Sequence, residues 1–378
     1  MIRRVFPILA TSIFACMLGS GIVVPLLPLY AESLGASGLW LGLIFAAFPL
    51  SRILATPIFG RLSDRKGRKQ FISIGLFAYA IISFGFIYTN TVFQLVLMRF
   101  FHGLAGALIL PIAQAYMGEL SPPGEEGKWM GYANAAFFSG FGFGPLIGGV
   151  LSEHLGMDAA FLAMGALSLL AFAITIFFLP SIKPKQSTTS YPSFGEMSRS
   201  GVIIGLFSFR FTLTLGRSIF FIFLPILATY SLGLRPSLVG ILLAVNILLV
   251  SLLGIPFGRI ADHLSRRFLV VMGCLVSSIF LMVVPLGNTF GLLLALAVLG
   301  SVGNAIAIPA ASALAVEQGK IYGMGSSIAL FSMAFSVGMV VGPISGGLIA
   351  DFTGINSVFY FGAVITLVGA GLFTWFSR

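Results

Sequence analysis

Twelve stretches of this sequence stay apolar for about 19 residues or more, which confines the chain to a membrane. An α-helix rises about 1.5 Å per residue, so roughly 20 residues cross the ~30 Å hydrocarbon core of a bilayer. The stretches fall at 5–30, 39–59, 71–89, 92–118, 128–151, 158–179, 201–230, 236–257, 268–286, 289–316, 322–349 and 355–376. Lipid offers the backbone no water to bond, so each span must close its hydrogen bonds as a helix. Charged residues make up only 8% of the 378, against roughly 25% in soluble domains. That is too few to clothe a water-facing surface, and the expected fold class is an all-α membrane protein.

The distribution of charge gives the orientation. A net charge of +10 can indicate a nucleic-acid partner, but these basic residues gather in short connections rather than on one patch. With the N-terminus in the cytoplasm, sixteen of the 21 lysines and arginines fall on that side, among them Arg3, Arg61, Lys66, Lys69, Arg259 and Arg267. Arg235 alone falls on the other, and Arg52, Arg99, Arg210 and Arg217 lie within spans. The positive-inside rule then places both termini in the cytoplasm. Arg3 and Arg4 precede an apolar run that continues to Tyr30, too long for a signal-peptide core, so it reads as the first span of a multi-pass inner-membrane (plasma-membrane) protein. Cys16 and Cys274 sit in different apolar runs and indicate no disulfide framework.

The chain repeats itself at an offset of 198 residues. Gly60-Arg61 matches Gly258-Arg259, Asp64 matches Asp262, Arg68 matches Arg266, Pro111 matches Pro309 and Glu119 matches Glu317. Gly140, Gly144-Pro145 and Gly148-Gly149 match Gly338, Gly342-Pro343 and Gly346-Gly347 in the same register. Six spans per copy is an even number, so both copies point the same way across the membrane. The expected organisation is a six-helix bundle over 1–179, a cytoplasmic linker over 180–200 and a second parallel six-helix bundle over 201–378. Repeats related by an axis along the membrane normal are the arrangement of the two halves of major facilitator transporters, with a midplane site between them.

After span 2 the sequence reads Gly60-Arg61-Leu62-Ser63-Asp64-Arg65-Lys66-Gly67-Arg68-Lys69. This stretch resembles the signature loop of the major facilitator superfamily, G-x-x-x-D-[RK]-x-G-x-[RK], and the resemblance extends over the whole chain. It implies that Asp64 caps the start of span 11, near Gly323 to Ser327, and latches the outward-facing state, with Gly60, Arg65, Gly67 and Arg68 as its companions. The second copy, with Asp262 and Arg266, has Ser265 in place of the turn glycine, and a weaker latch is expected there. In span 5, Gly140, Gly144, Pro145, Gly148 and Gly149 are similar to the antiporter motif of the twelve-helix drug:proton antiporter group. Gly342 and Pro343 repeat it in span 11. Small residues four apart also serve ordinary close helix packing.

Span 4 opens Arg99-Phe100-Phe101-His102-Gly103-Leu104-Ala105-Gly106, similar to the family's R-x-x-x-G-x-x-G segment, whose arginine is linked to proton transfer. His102, one turn on, is the span residue whose charge can change near neutral pH; a neutral histidine bonded between helices is the alternative. All eleven acids lie in connections or at span ends, so the four span arginines are expected to have no carboxylate at their depth. Each costs ~3 kcal/mol on the insertion scale. None recurs in the repeat: Arg52 matches Val250, Arg99 matches Ala297, Arg210 matches Ser12 and Arg217 matches Gly19. Arg210, Thr214 and Arg217 share one face of span 7, and Gln114 and Asn304 add uncharged hydrogen-bonding groups. The resemblance directs spans 1, 4, 7 and 10 to a cavity, where these groups would meet an anionic or amphipathic organic substrate. Snorkelling to an interface or bonding to backbone carbonyls is the alternative for each arginine.

The reading that follows is a secondary active transporter by alternating access, exporting a small amphipathic or anionic compound in exchange for protons. Broad-specificity multidrug export and uptake or uniport of an organic anion compete with it. A non-transporting scaffold sits poorly with a complete signature loop. Tetracycline exporters carry an acid in span 1 where this chain has Cys16, which disfavours a cationic-drug mechanism. Paired carboxylates, a histidine–acid pair or a metal cluster within the membrane would mark an enzyme; none is visible, and no enzymatic activity, cofactor or metal is expected. The expected partners are a small-molecule substrate, protons and the lipid bilayer, with no nucleic acid, and the protein is expected to be a monomer.

Overall fold

The computed structural model describes residues 2–23, 26–36, 38–181, 194–234 and 236–377. Most of the expected linker, with Lys183 and Lys185, lies outside the described residues, as does Arg235. Regular structure among the described residues is helical, and twelve helices are long and apolar enough to cross a membrane. They are α1 (Ile2–Val23), α2 (Gly38–Lys66), α3 (Arg68–Gly85), α4 (Val92–Leu120), α5 (Glu126–Leu155) and α6 (Met157–Phe178). The second six are α7 (Gly201–Leu232), α8 (Pro236–His263), α9 (Arg266–Val283), α10 (Phe290–Tyr322), α11 (Met324–Thr353) and α12 (Ile355–Phe376).

Two boundaries differ from the apolar runs. The first run, 5–30, is divided between α1 and a short helix Leu27–Ser33. In the other direction, α2 continues past the apolar run to Lys66 and α8 continues to His263. The signature stretch is therefore helical through Lys66 rather than a loop. Arg65 and Lys66 in its last turn suit the negative end of the helix dipole. The chain turns only at Gly67, whose φ of 94° lies in the left-handed region that glycine tolerates. At the matching place Ser265 has φ −56° and caps α9 by accepting from the Phe268 amide. A side-chain cap replaces the glycine turn there.

Contacts group the chain into two compact units that exchange one segment each relative to the sequence halves. One comprises Met1–Ser121, Ala136–Tyr191 and Gly319–Met333; the other comprises Pro122–Ala135, Pro192–Gln318 and Ala334–Arg378. In the first unit, α1 packs on α6 and α4, α2 and α3 pack on α4, and α3 packs on α6. Tyr79, Phe86, Tyr116 and Phe161 are fully buried there. In the second, α7 and α9 pack on α12, and Phe220, Leu224, Phe280, Leu281 and Phe359 form the core. Large apolar side chains also point outward, such as Ile58, Phe177, Leu252 and Ile344. A surface of this kind is stable against lipid and costly against water.

Candidate functional site

The first unit brings the signature residues onto the start of α11. The first amides of any α-helix lack intrahelical partners, and Asp64, at the end of α2, bonds two of them. Its Oδ1 accepts from the Gly325 amide at 2.6 Å, and its Oδ2 accepts from the Ser326 amide and from Ser326 Oγ, both at 2.9 Å. Arg68 closes the other side: Nη2 donates to Asp64 Oδ1 at 2.6 Å, Nη1 to Ser63 Oγ at 2.6 Å and Nε to Glu119 at 3.3 Å. Gly60 lies so close to Gly325 and Ala329 that a Cβ would overlap both. The glycine is what allows the carboxylate to reach the helix end.

The second unit repeats the carboxylate on a helix start with its arginine partner. Asp262 accepts from the Gly127 amide at 2.6 Å and the Lys128 amide at 2.8 Å. Arg266 donates to Asp262 at 3.3 Å, to Glu126 at 2.9 Å and to Glu317 at 2.6 Å. Gly258 lies against the Gly127 carbonyl as Gly60 lies against that of Gly325. The carboxylate makes one bond fewer than in the first copy. The difference comes from Lys128, which stands where Ser326 supplies a hydroxyl, and not from the missing turn glycine. Glu119, Glu126, Glu317, Gly127, Gly325 and Ser326 thus join the residues singled out from sequence. Four of them form the pairs Glu119/Glu317 and Gly127/Gly325 at the 198-residue offset, a signal present in the sequence.

The glycine motif divides into packing and non-packing positions. Gly140 meets the Phe14 carbonyl, Gly144 meets Gly21 and Ile22, and Gly148 meets Ile22, all on α1. In the second copy Gly338 and Gly342 lie against α7 at Phe211, Thr214, Leu215 and Ser218. Gly149 and Gly347 differ from the other motif glycines: a Cβ at either would meet nothing within 4 Å among the described residues. One residue turns an α-helix by about 100°, which takes them off the packed face. Pro145 and Pro343 lie inside α5 and α11.

The span arginines sit on aromatic faces. In the first unit the Phe48 ring has Arg99 Cζ 4.7 Å and Arg52 Cζ 5.8 Å from its centre. Neither forms a salt bridge among the described residues, and Arg99 Nε and Nη1 and Arg52 Nε are buried without a hydrogen-bond partner. His102 is enclosed by Tyr79, Phe48 and Phe86 at 3.7, 5.7 and 5.7 Å, and neither ring nitrogen has a hydrogen-bond partner among the described residues. In the second unit Arg210 lies over Phe335 at 4.9 Å and Arg217 over Phe221 at 5.3 Å. The two arginines share a helix face, and each lies over a different ring. Thr214 is buried against Gly338, and Gln114 is half-buried.

The repeat register explains the setting of Arg217. It matches Gly19, while Ser277 matches Tyr79 and Asn246 matches Phe48. In the first unit a Cβ at Gly19 would overlap Met164, with Cγ 2.7 Å away, and would touch the Tyr79 ring at 3.6 Å. Tyr79 is held there by Ser20 Oγ at 2.7 Å and the Cys16 carbonyl at 3.0 Å. In the second unit the small Ser277 leaves that space, and Arg217 borders it. What remains is a cavity of about 10 Å³ lined by Arg217, Asn246, Ser277, Asn304 and Thr366 among apolar residues. Ser277 Oγ and Asn304 Oδ1 have no hydrogen-bond partner, while Asn304 Nδ2 donates to the Gly300 carbonyl at 2.8 Å. Such a space holds about one water and is far below the ~300–1,000 Å³ of organic-ligand pockets. No group of His, Cys, Asp and Glu able to hold a metal occurs among the described residues.

Comparison with known proteins agrees with this geometry. The model of the Major Facilitator Superfamily matches twice, over residues 9–213 and 206–378. An MFS-type transporter of Methanocaldococcus jannaschii is 32% identical over 97% of this chain and 96% of its own length. Multidrug resistance protein 2 of Bacillus subtilis is 26% identical over 98% and 94%. Quinolone resistance protein NorA of Staphylococcus aureus is 37% identical over 190 residues, 50% of this chain and 48% of its own. Among solved structures, the human organic anion transporter MFSD10 superposes with a TM-score of 0.78 over 98% of this chain and 99% of that one, at 18% identity. With two signature carboxylates seated on helix ends and twelve helices in register, the chain belongs to the major facilitator superfamily of transporters.

Proposed function

We propose that this transporter is a proton-coupled exporter of a small amphipathic or anionic organic compound, working by alternating access. The observation that carries the reading is Arg99: a guanidinium buried to 4% exposure, with two nitrogens that have no hydrogen-bond partner and no salt bridge among the described residues. A buried cation without a counter-charge is costly, and an anionic cargo offsets that cost during transport. Arg52 adds a second positive charge beside the same Phe48 ring, and Arg210 places another on Phe335 in the second unit. MFSD10, which shares the fold, is titled an organic anion transporter, which supports the reading by analogy alone.

His102 is the group proposed to exchange the coupling proton, next to Arg99 on α4, and Gln114, Thr214 and Asn304 remain proposed polar contacts. The two latches, Asp64 with Arg68 and Asp262 with Arg266, are proposed as gates on the cytoplasmic side of the plasma membrane, with both termini there. The protein is proposed to act as a monomer. Broad-specificity multidrug export is a second reading, favoured by full-length relatives named multidrug resistance proteins. A thermal-shift screen of purified protein and of the Arg99→Gln variant separates the two. The anion reading expects stabilisation by organic anions that the variant loses. Stabilisation by organic cations alone, unchanged in the variant, contradicts it.

A further inference from the structure

The first unit carries a groove of about 440 Å³ between α3 and α6, with a polar end and an apolar end. Lys66, Gly67, Lys69 and Gln70 border the polar end; Ile74, Phe77, Phe172 and Ile176 wall the rest. The Phe77 and Phe172 rings meet at a tilt of 43°, their centres 5.2 Å apart. Phe77 lies eight residues beyond Lys69, about 12 Å down the helix, so charge and apolar wall are separated along the membrane normal as in a lipid. Between them lies Ser73, buried at 7% exposure, whose Oγ has no hydrogen-bond partner among the described residues. Neither lysine forms a salt bridge among the described residues.

We propose that this groove binds one anionic phospholipid, with the headgroup phosphate on Lys66 and Lys69, a headgroup or glycerol oxygen on Ser73, and an acyl chain along Phe77, Phe172 and Ile176. Basic pockets between membrane helices are suited to acidic headgroups, and the volume falls in the range of built ligand sites. The repeat supplies an internal control. At the offset of 198, Lys66 becomes Leu264, Gln70 becomes Phe268, Ser73 becomes Val271, Phe172 becomes Ala370 and Ile176 becomes Thr374, leaving only Arg267 for Lys69. The scaffold shared by the halves therefore does not require the polar end or the aromatic wall; they belong to the first copy alone. Gly67 lines the groove and Arg68 bonds Asp64, so a lipid seated here touches the turn that carries the first latch. The site stands whether or not the cargo is an anion.

Native mass spectrometry and thermal unfolding of the full chain in nanodiscs of phosphatidylcholine, with and without phosphatidylglycerol, test it. The expected result is one retained phosphatidylglycerol and a rise in Tm of several degrees. Both should be lost in Lys66→Gln/Lys69→Gln and kept in Arg267→Gln, each Tm shift being read against the same protein in phosphatidylcholine alone. Inorganic phosphate should produce no shift. The proposal is overturned if the double variant keeps the phosphatidylglycerol effect, if Arg267→Gln loses as much, or if phosphate alone reproduces it.

Discussion

The Asp64 carboxylate accepts hydrogen bonds from the Gly325 and Ser326 amides at 2.6 and 2.9 Å across 261 and 262 residues of sequence. It is also the acceptor of the Arg68 guanidinium at 2.6 Å. Asp64→Asn keeps one acceptor oxygen but sets an NH₂ group against a donor and removes the charge that Arg68 faces. Loss of these charge-assisted bonds in a buried setting should cost about 2–4 kcal/mol. Thermal unfolding in detergent measures it, and an unchanged Tm would show that the contact contributes nothing.

In the two proposed latches the helix start bonds the carboxylate with one hydroxyl more in the first copy. Ser326→Ala removes the third bond to Asp64 and should cost about 1 kcal/mol. Lys128→Ser, at the matching place in the second copy, should gain a comparable amount by giving Asp262 the bond it lacks. Denaturant or thermal unfolding of the two variants checks the pair, and a loss in both would mean that Lys128 contributes through its own charge.

Glycine positions in α5 should separate sharply. A methyl at Gly144 overlaps the Gly21 backbone, so Gly144→Ala should destabilise by several kcal/mol or abolish folding. Gly149→Ala meets open space and should stay within about 0.5 kcal/mol. Expression and Tm of the two single variants measure the contrast.

Arg217 and Ser277 in the second unit stand where Gly19 and Tyr79 stand in the first. Ser277→Tyr alone should crowd Arg217, and Arg217→Gly alone should leave a void. The two side chains border one cavity, so the double variant, in which the added ring takes room the guanidinium vacates, should be more stable than the sum of the singles by about 1–3 kcal/mol. Additive losses would show that the two side chains do not share one space.

Much of the fold was legible because lipid imposes helices and the repeat imposes register. Twelve apolar runs gave twelve helices, and the signature residues Gly60, Asp64 and Arg68 come together in the first unit. The helical character of 60–66 was not legible, since charge density there reads as a loop while the helix simply outlasts the bilayer. Nor was the rotation that removes Gly149 from the packed face, which needs the neighbouring helix. Sequence placed Arg210 and Arg217 on one face, yet each has its own aromatic partner. Side-chain neighbours across helices are set by packing, which one-dimensional periodicity does not carry.

Flux in proteoliposomes addresses the transport proposal most directly. Purified protein in vesicles with an imposed pH gradient should move an organic anion against its own gradient. Transport should fall at least tenfold in Arg99→Gln and stop when a protonophore collapses the gradient. Transport that is independent of the pH gradient, or selective for organic cations and indifferent to Arg99→Gln, would contradict the proposed function.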